Sequence, residues 1–254
     1  MYLVISAACS TRLPEININK EKSRMLGTPI PTMRQALLAL QVFPLFAVLF
    51  IIAPEAVYSG APARAALSIA EARSLPLGTV VTVDGSVTVA SGAFSSSTFN
   101  QGFAIQDYTG GIYVSVADNL GFAPRQQVRV RGQLADSFGL LILTNVTDIK
   151  AHGRGPKVQP LPVTTGAVGE ATEGKLVRIT GTITQPIVND LPFGFIIVVN
   201  DGSGEVNSFV NASTGIDVSG ISLGQTIEVT GFSGQFADHF EVDPRVQGDI
   251  NVVP

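Results

Sequence analysis

Three arginines near the middle of the chain occur at positions where their side chains would share one surface. Arg129 and Arg131 alternate with Val128 and Val130, and Arg125 lies shortly before them. Side chains of a strand point alternately to its two faces, so burial of the valines would expose the arginines. Guanidinium groups on one exposed face are suited to neutralising phosphates.

Tyr113 has the same kind of position in a preceding strand. It alternates with Ile112 and Val114, which predicts it on the outer face, and Gln106 faces outward from the neighbouring strand. An exposed tyrosine can stack a nucleic-acid base, which contributes about 1–3 kcal/mol. The alternative is that Tyr113 is an ordinary strand-forming residue and that the arginines belong to a solvated strand face.

Phenylalanines occur in the segments predicted as loops. Phe94 and Phe99 lie in the Ser-rich stretch of residues 90–102, and Phe138 occupies a turn. The matching places in the second half of the chain hold Phe193, Phe195, Phe232, Phe236 and Phe240. Such aromatic side chains would either line a groove for a base, a sugar or a peptide, or fill the ends of a small barrel.

Few residues in the sequence have the chemistry of catalysis or metal binding. The single cysteine, Cys9, precedes an apolar segment, and the chain has two histidines. His239 is flanked by Asp238, Glu241 and Asp243, but one histidine among scattered carboxylates is more typical of a solvated acidic turn than of a metal site. We therefore expect no enzyme activity, no metal and no cofactor.

The second half of the chain repeats the first. Three blocks recur in order at separations of 94 to 99 residues, so differences in loop length explain the drift. Residues 77–88 (LGTVVTVDGSVT) return as 173–184 (EGKLVRITGTIT), 105–110 (IQDYTG) as 199–204 (VNDGSG), and 127–132 (QVRVRG) as 226–231 (TIEVTG).

Each repeat predicts five short strands, and the fold class is therefore all-β. A long first strand with Gly85 or Gly181 at its bend, followed by two hairpins, indicates two tandem five-stranded OB-like barrels. A β-sandwich is the alternative. The connection at residues 117–124 has room for a helical turn. We predict an N-terminal extension with an export segment at residues 1–65, a first barrel at 66–150, a linker at 151–164 and a second barrel at 165–254.

These blocks resemble the OB-fold modules attached to bacterial secreted nucleases and related surface proteins. The resemblance covers residues 68–150 well and residues 165–245 more loosely. It implies an accessory domain that binds nucleic acid, with the nuclease chemistry in a separate domain. No such separate domain is recognisable in this sequence.

The two repeats differ in charge. Residues 66–164 contain 7 Lys and Arg against 6 Asp and Glu, whereas residues 165–254 contain 3 against 11. An acidic second barrel would repel a polyanion, so we assign single-stranded nucleic acid to the first barrel. The residues are Tyr113, Arg125, Arg129, Arg131, Phe94, Phe99 and Phe138. The other hypothesis is an envelope or extracellular module that binds a protein; a hydrolase with an unrecognised site ranks third.

Residues 36–53 form an uncharged apolar stretch preceded by Lys20, Lys22, Arg24 and Arg34. Small residues follow it, and Ala63-Arg64-Ala65 fits a signal-peptide cleavage site. This pattern predicts export to the periplasm or the extracellular space. An uncleaved helix anchored in the membrane is the alternative.

Overall fold

The computed structural model describes residues 65–94 and 101–254. The predicted export segment and Phe99 lie outside these residues. Within the described residues, one α-helix is present, α1 (Ile69–Arg73). The strands are β1 (Val80–Val89), β2 (Phe103–Gln106), β3 (Gly111–Val114), β4 (Gln126–Ser137), β5 (Leu140–Arg154), β6 (Leu161–Pro162), β7 (Leu176–Ile183), β8 (Val188–Asp190), β9 (Gly194–Asn200), β10 (Glu205–Asn211), β11 (Thr226–Phe236), β12 (His239–Asp243) and β13 (Ile250–Val252). Short 3₁₀ helices occupy Thr165–Ala167, Ala212–Thr214 and Gln247–Asp249.

The first five strands form a closed barrel, here called barrel 1. Its strand order is β1-β2-β3-β5-β4, and β4 pairs again with β1. The strand β3 runs parallel to β5, and the other pairs are antiparallel. The alternating apolar residues of β1 and β4 face the centre, where they form a buried core with residues such as Val83, Val130 and Leu143.

The second repeat forms a barrel with the same strand order, here called barrel 2. Its strands follow the order β7-β9-β10-β12-β11, and β11 closes the ring on β7. The one parallel contact of this ring joins β10 to β12, at the place equivalent to β3 and β5. The predicted pair of five-stranded barrels is therefore confirmed, and the β-sandwich is excluded.

The predicted bends at Gly85 and Gly181 have a steric reason. Near Gly85, β1 passes from its pairing with β4 to its pairing with β2. A Cβ atom at Gly85 would lie 3.1 Å from the backbone nitrogen of Gln106, and one at Gly181 would lie 2.8 Å from the carbonyl oxygen of Asn200. Glycine permits this close approach of two strands. The register shift of β1 falls slightly later, between Val87 and Val89.

Three local features differ from the expectations. No helical turn forms at residues 117–124, so that prediction is wrong, because Asn119 and Gln126 bond the local backbone in an irregular connection instead. A helix does precede barrel 1, where Ser68 and Glu71 form a capping box on α1. The strand β5 continues to Arg154 and pairs with Gln126 there.

The aspartates that recur in the turn between β2 and β3 and in the turn between β9 and β10 act as turn caps. Asp107 accepts hydrogen bonds from the backbone N–H groups of Thr109 (2.7 Å) and Gly110 (2.9 Å), and also from Ile69 N–H at the start of α1 (2.9 Å). Asp201 likewise accepts from Ser203 N–H (2.9 Å) and from Thr165 N–H (3.1 Å). Each aspartate therefore ties its hairpin to the segment that precedes its barrel.

Replacing Asp107 by Asn is expected to lower the free energy of unfolding by about 1–2 kcal/mol, because a hydrogen bond to a charged acceptor contributes about 1.5–3 kcal/mol and one to a neutral acceptor about 0.5–1.5 kcal/mol. Although partial burial opposes it, hydrogen bonds from Thr109, Ile69 and Gly110 hold the pKa of Asp107 below its ordinary value. The charge of Asp107 therefore stabilises the fold above about pH 4 and stops doing so as the pH falls. Urea denaturation across this range should show the variant and the original protein converging in acid. A pH-independent difference would contradict this account.

Candidate functional site

The two barrels pack against each other through the outer face of β3. Tyr113 points away from the core of barrel 1, as predicted, but only 4% of its surface is exposed. Its ring meets Phe232 of barrel 2 at a centroid distance of 6.0 Å, and Phe94 meets Phe232 at 6.3 Å. These rings share a buried cluster with Val89, Ala104 and Ile142. Tyr113 thus has no open ring face on which a base could stack, and Phe94 packs between the barrels and not in a ligand groove.

Polar contacts fix the arrangement of the barrels. Arg73 Nη2 lies 2.8 Å from Glu173 Oε1, and the backbone N–H of Leu176 donates to Gln106 Oε1 at 2.8 Å. A Cβ atom at Gly111 would collide with the carbonyl oxygen of Gly174, so the two backbones touch at these glycines. Arg245 Nη1 of barrel 2 also donates to Thr88 O of barrel 1 at 2.8 Å. Gln106 is therefore engaged at this interface.

The turns between the fourth and fifth strands of both barrels also meet. Phe138 stacks on Phe236 with ring centroids 5.5 Å apart, and the Ala237 N–H donates to Phe138 O at 2.7 Å. Both phenylalanines keep about half of their surface exposed. Phe138 thus lies at the surface as predicted, but its ring belongs to a pair made by two turns.

The three predicted arginines lie on the outer side of barrel 1, away from Tyr113. Arg129 makes a bidentate ion pair with Asp84, with Nη2 to Oδ2 at 2.6 Å and Nε to Oδ1 at 3.0 Å. Arg131 is exposed and has no ion pair within the described residues. Arg125 adopts a left-handed backbone with φ of 75°, and its carbonyl accepts from the Gly155 N–H at 2.6 Å.

A groove of about 920 Å³ runs along this side of barrel 1, between β1, the β2–β3 turn and the segment after β5. We call it the linker groove. Its lining includes Ser86, Gln127, Tyr108, Pro156, Val158 and Gln159. Ser86 Oγ and Gln127 Oε1 are hydrogen-bonded at 3.1 Å in its floor. The groove is therefore lined mostly by polar groups of barrel 1 and by the chain that leads to barrel 2.

Tyr108 is the aromatic residue of this groove that sequence reasoning missed. It lies in the turn that Asp107 caps, and 97% of its surface is exposed. The capped turn holds the backbone on both sides of Tyr108, while nothing in the described structure packs on its ring. The signal was present in the sequence, because a tyrosine inside a tight, Asp-capped turn has no core to enter.

Basic residues lie in the chain segment beside the same groove. Arg154 and Lys157 lie in the segment that forms one wall, and the carbonyl of Arg125 is bonded to that wall through Gly155. Within the part of the chain that the structure describes, Arg125, Arg154 and Lys157 have no acidic partner. The carboxylates of the groove are engaged, because Asp84 pairs with Arg129, Asp107 caps its turn, and Glu71 accepts from Ser68.

Barrel 2 has a second groove, of about 440 Å³, on its outer face. Its lining includes Gln185, Ile196, Val198, Asn207, His239 and Phe240, and we call it the barrel-2 groove. Glu241 lies beside it, with Oε2 3.8 Å from His239 Nε2 and a side chain that is 14% exposed. Burial raises the pKa of Glu241 to about 7, against an opposing effect of His239. Burial, and then the charge of Glu241, raise the pKa of Asp243 above its ordinary value.

These residues do not form a metal centre. Across residues 65–94 and 101–254, no three His, Cys, Asp or Glu side chains come together as a metal site requires.

In the same residues, no helix combines the length and apolar character needed to cross a membrane.

Comparison with known proteins finds similarity only among solved structures. No family model matches the chain, and no curated protein matches it. The hypothetical protein YgiW from E. coli is 18% identical and covers 34% of this chain and 89% of its own, with a TM-score of 0.27. A murine DNA-binding protein bound to double-stranded DNA is 13% identical and covers 68% of this chain and 95% of its own, with a TM-score of 0.36. The p204 HINb domain is 13% identical, with coverages of 70% and 98% and a TM-score of 0.33.

Proposed function

We propose that this chain is a non-enzymatic, exported binding module that takes single-stranded nucleic acid in the linker groove. The observation that carries the proposal is Tyr108, a fully exposed ring at the edge of a polar groove, beside a chain segment that contains Arg154 and Lys157. Bases stack on such a ring whatever their sequence, while cations along the groove contact the phosphates. Export is supported by the composition of residues 36–65.

In this proposal, one side of the linker groove contacts phosphates and the other side stacks a base. Arg125, Arg154 and Lys157 would contact phosphates on one side, and Tyr108 would stack a base on the other. Gln127 lies in the floor, and amide groups of this kind hydrogen-bond base edges. Arg131 extends the basic surface along β4, whereas Arg129 is already paired with Asp84. The acidic charge of barrel 2 would keep the strand on barrel 1.

Replacing Tyr108 by Ala is expected to weaken binding of a fluorescein-labelled oligo-dT to the full chain by about 5- to 150-fold, the equivalent of about 1–3 kcal/mol of stacking. Fluorescence anisotropy measures this effect. The matched control is Tyr113→Phe, which changes a buried tyrosine and should leave the affinity unchanged. Equal affinities of the original protein and the Tyr108 variant would contradict the site.

The same titration should depend on salt. Between about 50 and 200 mM salt, the affinity should fall with a slope set by the number of phosphates neutralised. The variant Arg154→Gln with Lys157→Gln should weaken binding and flatten this slope, because it removes two phosphate contacts. Duplex DNA should compete poorly, because its bases are not free to stack on Tyr108. Absence of binding at low salt would refute the proposal.

A second candidate function is binding of a protein through the exposed aromatic pair Phe138 and Phe236. This hypothesis is supported by the stacking of the pair and by the several contacts that hold the barrels together as one scaffold. A partner captured from envelope extract by the original protein and lost with Phe138→Ser, together with no affinity for oligo-dT, would select it.

A further inference from the structure

Equivalent rows of residues on the outer faces of the two barrels have different surroundings. In barrel 1, a row of paired residues crosses the outer face from Ala104 through Tyr113 and Ile142 to Ala135. Barrel 2 covers Ala104, Tyr113 and Ile142, and all three are buried. In barrel 2, the same row is Val198, Asn207, Glu241 and Gly234. Val198 and Asn207 of this row line the barrel-2 groove, so barrel 2 has an opening at the edge of the face that barrel 1 has covered.

The row in barrel 2 introduces a carboxylate where barrel 1 has an isoleucine. Glu241 is mostly buried, and none of the described residues offers it a lysine or arginine. Its nearest ionisable groups are His239 and Asp243 on β12, and Glu205 on the adjacent β10. Gly234 of β11 brings no charge. A buried carboxylate without a cationic partner is costly, so a ligand that supplied the cation would gain a strong interaction.

The rest of the groove is suited to an apolar stem. Ile196 and Val198 of β9 and Val188 of β8 form its floor, and Phe240 lies on the opposite side. Two further apolar side chains, Leu191 and Phe193, are exposed at the tip of the β8–β9 hairpin, whose Val188 and Ile196 line the groove. This surface is larger than one amine needs, and it fits the side chains that flank a basic residue in a peptide.

We propose that the barrel-2 groove binds an extended peptide segment of a partner protein by taking one of its lysine or arginine side chains. The ammonium or guanidinium group pairs with Glu241, and the methylene stem packs on Ile196 and Val198. Neighbouring apolar side chains of the peptide contact Leu191 and Phe193. The net acidity of residues 165–254 attracts such a ligand and repels nucleic acid. This inference is independent of the function proposed for the linker groove.

The test uses the full chain and two fluorescein-labelled peptides of valine and threonine. One peptide has a central lysine, and the other has norleucine, which has the apolar stem without the charge. We expect the lysine peptide to bind at least about tenfold more tightly, equivalent to a difference of about 1.4 kcal/mol. Equal affinities of the two peptides would overturn the proposal.

Variants of the protein test whether Glu241 is the source of the tighter binding of the lysine peptide. Glu241→Gln should reduce binding of the lysine peptide to the level of the norleucine peptide. Glu228→Gln removes the same charge from the other side of barrel 2, where Glu228 lies near Arg178, and should leave the affinity unchanged. If both variants lost the same amount of affinity for the lysine peptide, the charge preference would reflect long-range attraction, and this would contradict a contact with Glu241. If Glu241→Gln does not fold, Ile196→Ser tests the stem contact and should weaken both peptides.

Two further measurements separate this site from other sources of the signal. Binding of the lysine peptide should weaken as the pH is lowered through about 7, because the buried Glu241 takes up a proton. Putrescine at the concentration of the peptide should not compete, since it lacks the flanking apolar side chains. Full competition by putrescine would indicate that the groove binds a free polyamine, and it would contradict the proposal of a peptide ligand. Tyr108→Ala should leave peptide binding intact, which keeps this result distinct from the nucleic-acid test.

Discussion

Replacing Phe232 by Ala should lower the free energy of unfolding by about 3–5 kcal/mol, the usual cost of removing a fully buried phenylalanine. Phe232 is 1% exposed, and its ring contacts Tyr113 and Phe94 of barrel 1. The cavity would lie between the barrels, where neither barrel core can collapse to fill it. Urea denaturation of the full chain, followed by circular dichroism, measures the change.

Phe236→Ala provides the matched control. Phe236 lies four residues further along β11 and faces the same side of the strand, but about half of its surface is exposed. Its removal loses a surface stacking contact with Phe138, worth about 0.5–1.5 kcal/mol. Equal losses for Phe232→Ala and Phe236→Ala would mean that the contact between the barrels contributes little to stability.

Replacing Arg73 by Met should cost about 3–5 kcal/mol, because it leaves the buried carboxylate of Glu173 without its cation. The Glu173 side chain is 1% exposed, and Oε1 accepts from Arg73 Nη2 at 2.8 Å and from the Leu141 N–H at 3.2 Å. Its other oxygen, Oε2, has no hydrogen-bond partner within the described residues. Methionine keeps much of the length of the side chain, so most of the loss reports on the charge.

The loss from Arg73→Met should depend on pH. Burial raises the pKa of Glu173, and the hydrogen bond and charge of Arg73 oppose that rise. Without Arg73 the folded-state pKa rises further above the unfolded value of about 4.3, so folding favours the protonated form. The penalty is smallest below about pH 4 and grows as the pH rises through the new folded-state pKa. Denaturation midpoints in acid and near neutrality measure this difference.

A second change at Glu173 completes the test. The double variant Arg73→Met with Glu173→Gln should recover most of the loss near neutral pH, because no buried charge remains. A loss that is the same at every pH, and that Glu173→Gln does not relieve, would instead assign the role of Arg73 to its hydrogen bond with Gly111 O at 3.3 Å.

Much of the fold follows from local patterns in the sequence. Alternation of valine with polar residues in residues 80–89 and 126–137 predicts strands, because strand side chains alternate with a period of two. The glycines recur at the predicted bends of both repeats, and the aspartates that cap the turns recur in both repeats as well. These features depend on contacts within one barrel, so each repeat carries the information for its own barrel.

The candidate site was less predictable. Alternation correctly placed Tyr113 outside the core of barrel 1 and the arginines on an outer face, but outer faces have two possible environments, solvent or another barrel. The burial of Tyr113 depends on Phe232, which belongs to the other repeat. Strand periodicity does not identify Tyr108, because it lies in a turn, and its position beside a groove depends on the path of residues 156–159.

By itself, the sequence determined two all-β barrels, the residues that bend and cap them, and the uneven charge of the two halves. Tertiary structure alone decided which faces remain open. It closed the outer face of β3 in barrel 1, left a groove at the edge of the equivalent face in barrel 2, and brought Tyr108 beside residues 156–159. The physical reason is that strand formation follows from neighbours along the chain, whereas burial of a polar outer face depends on the fit between surfaces far apart in sequence.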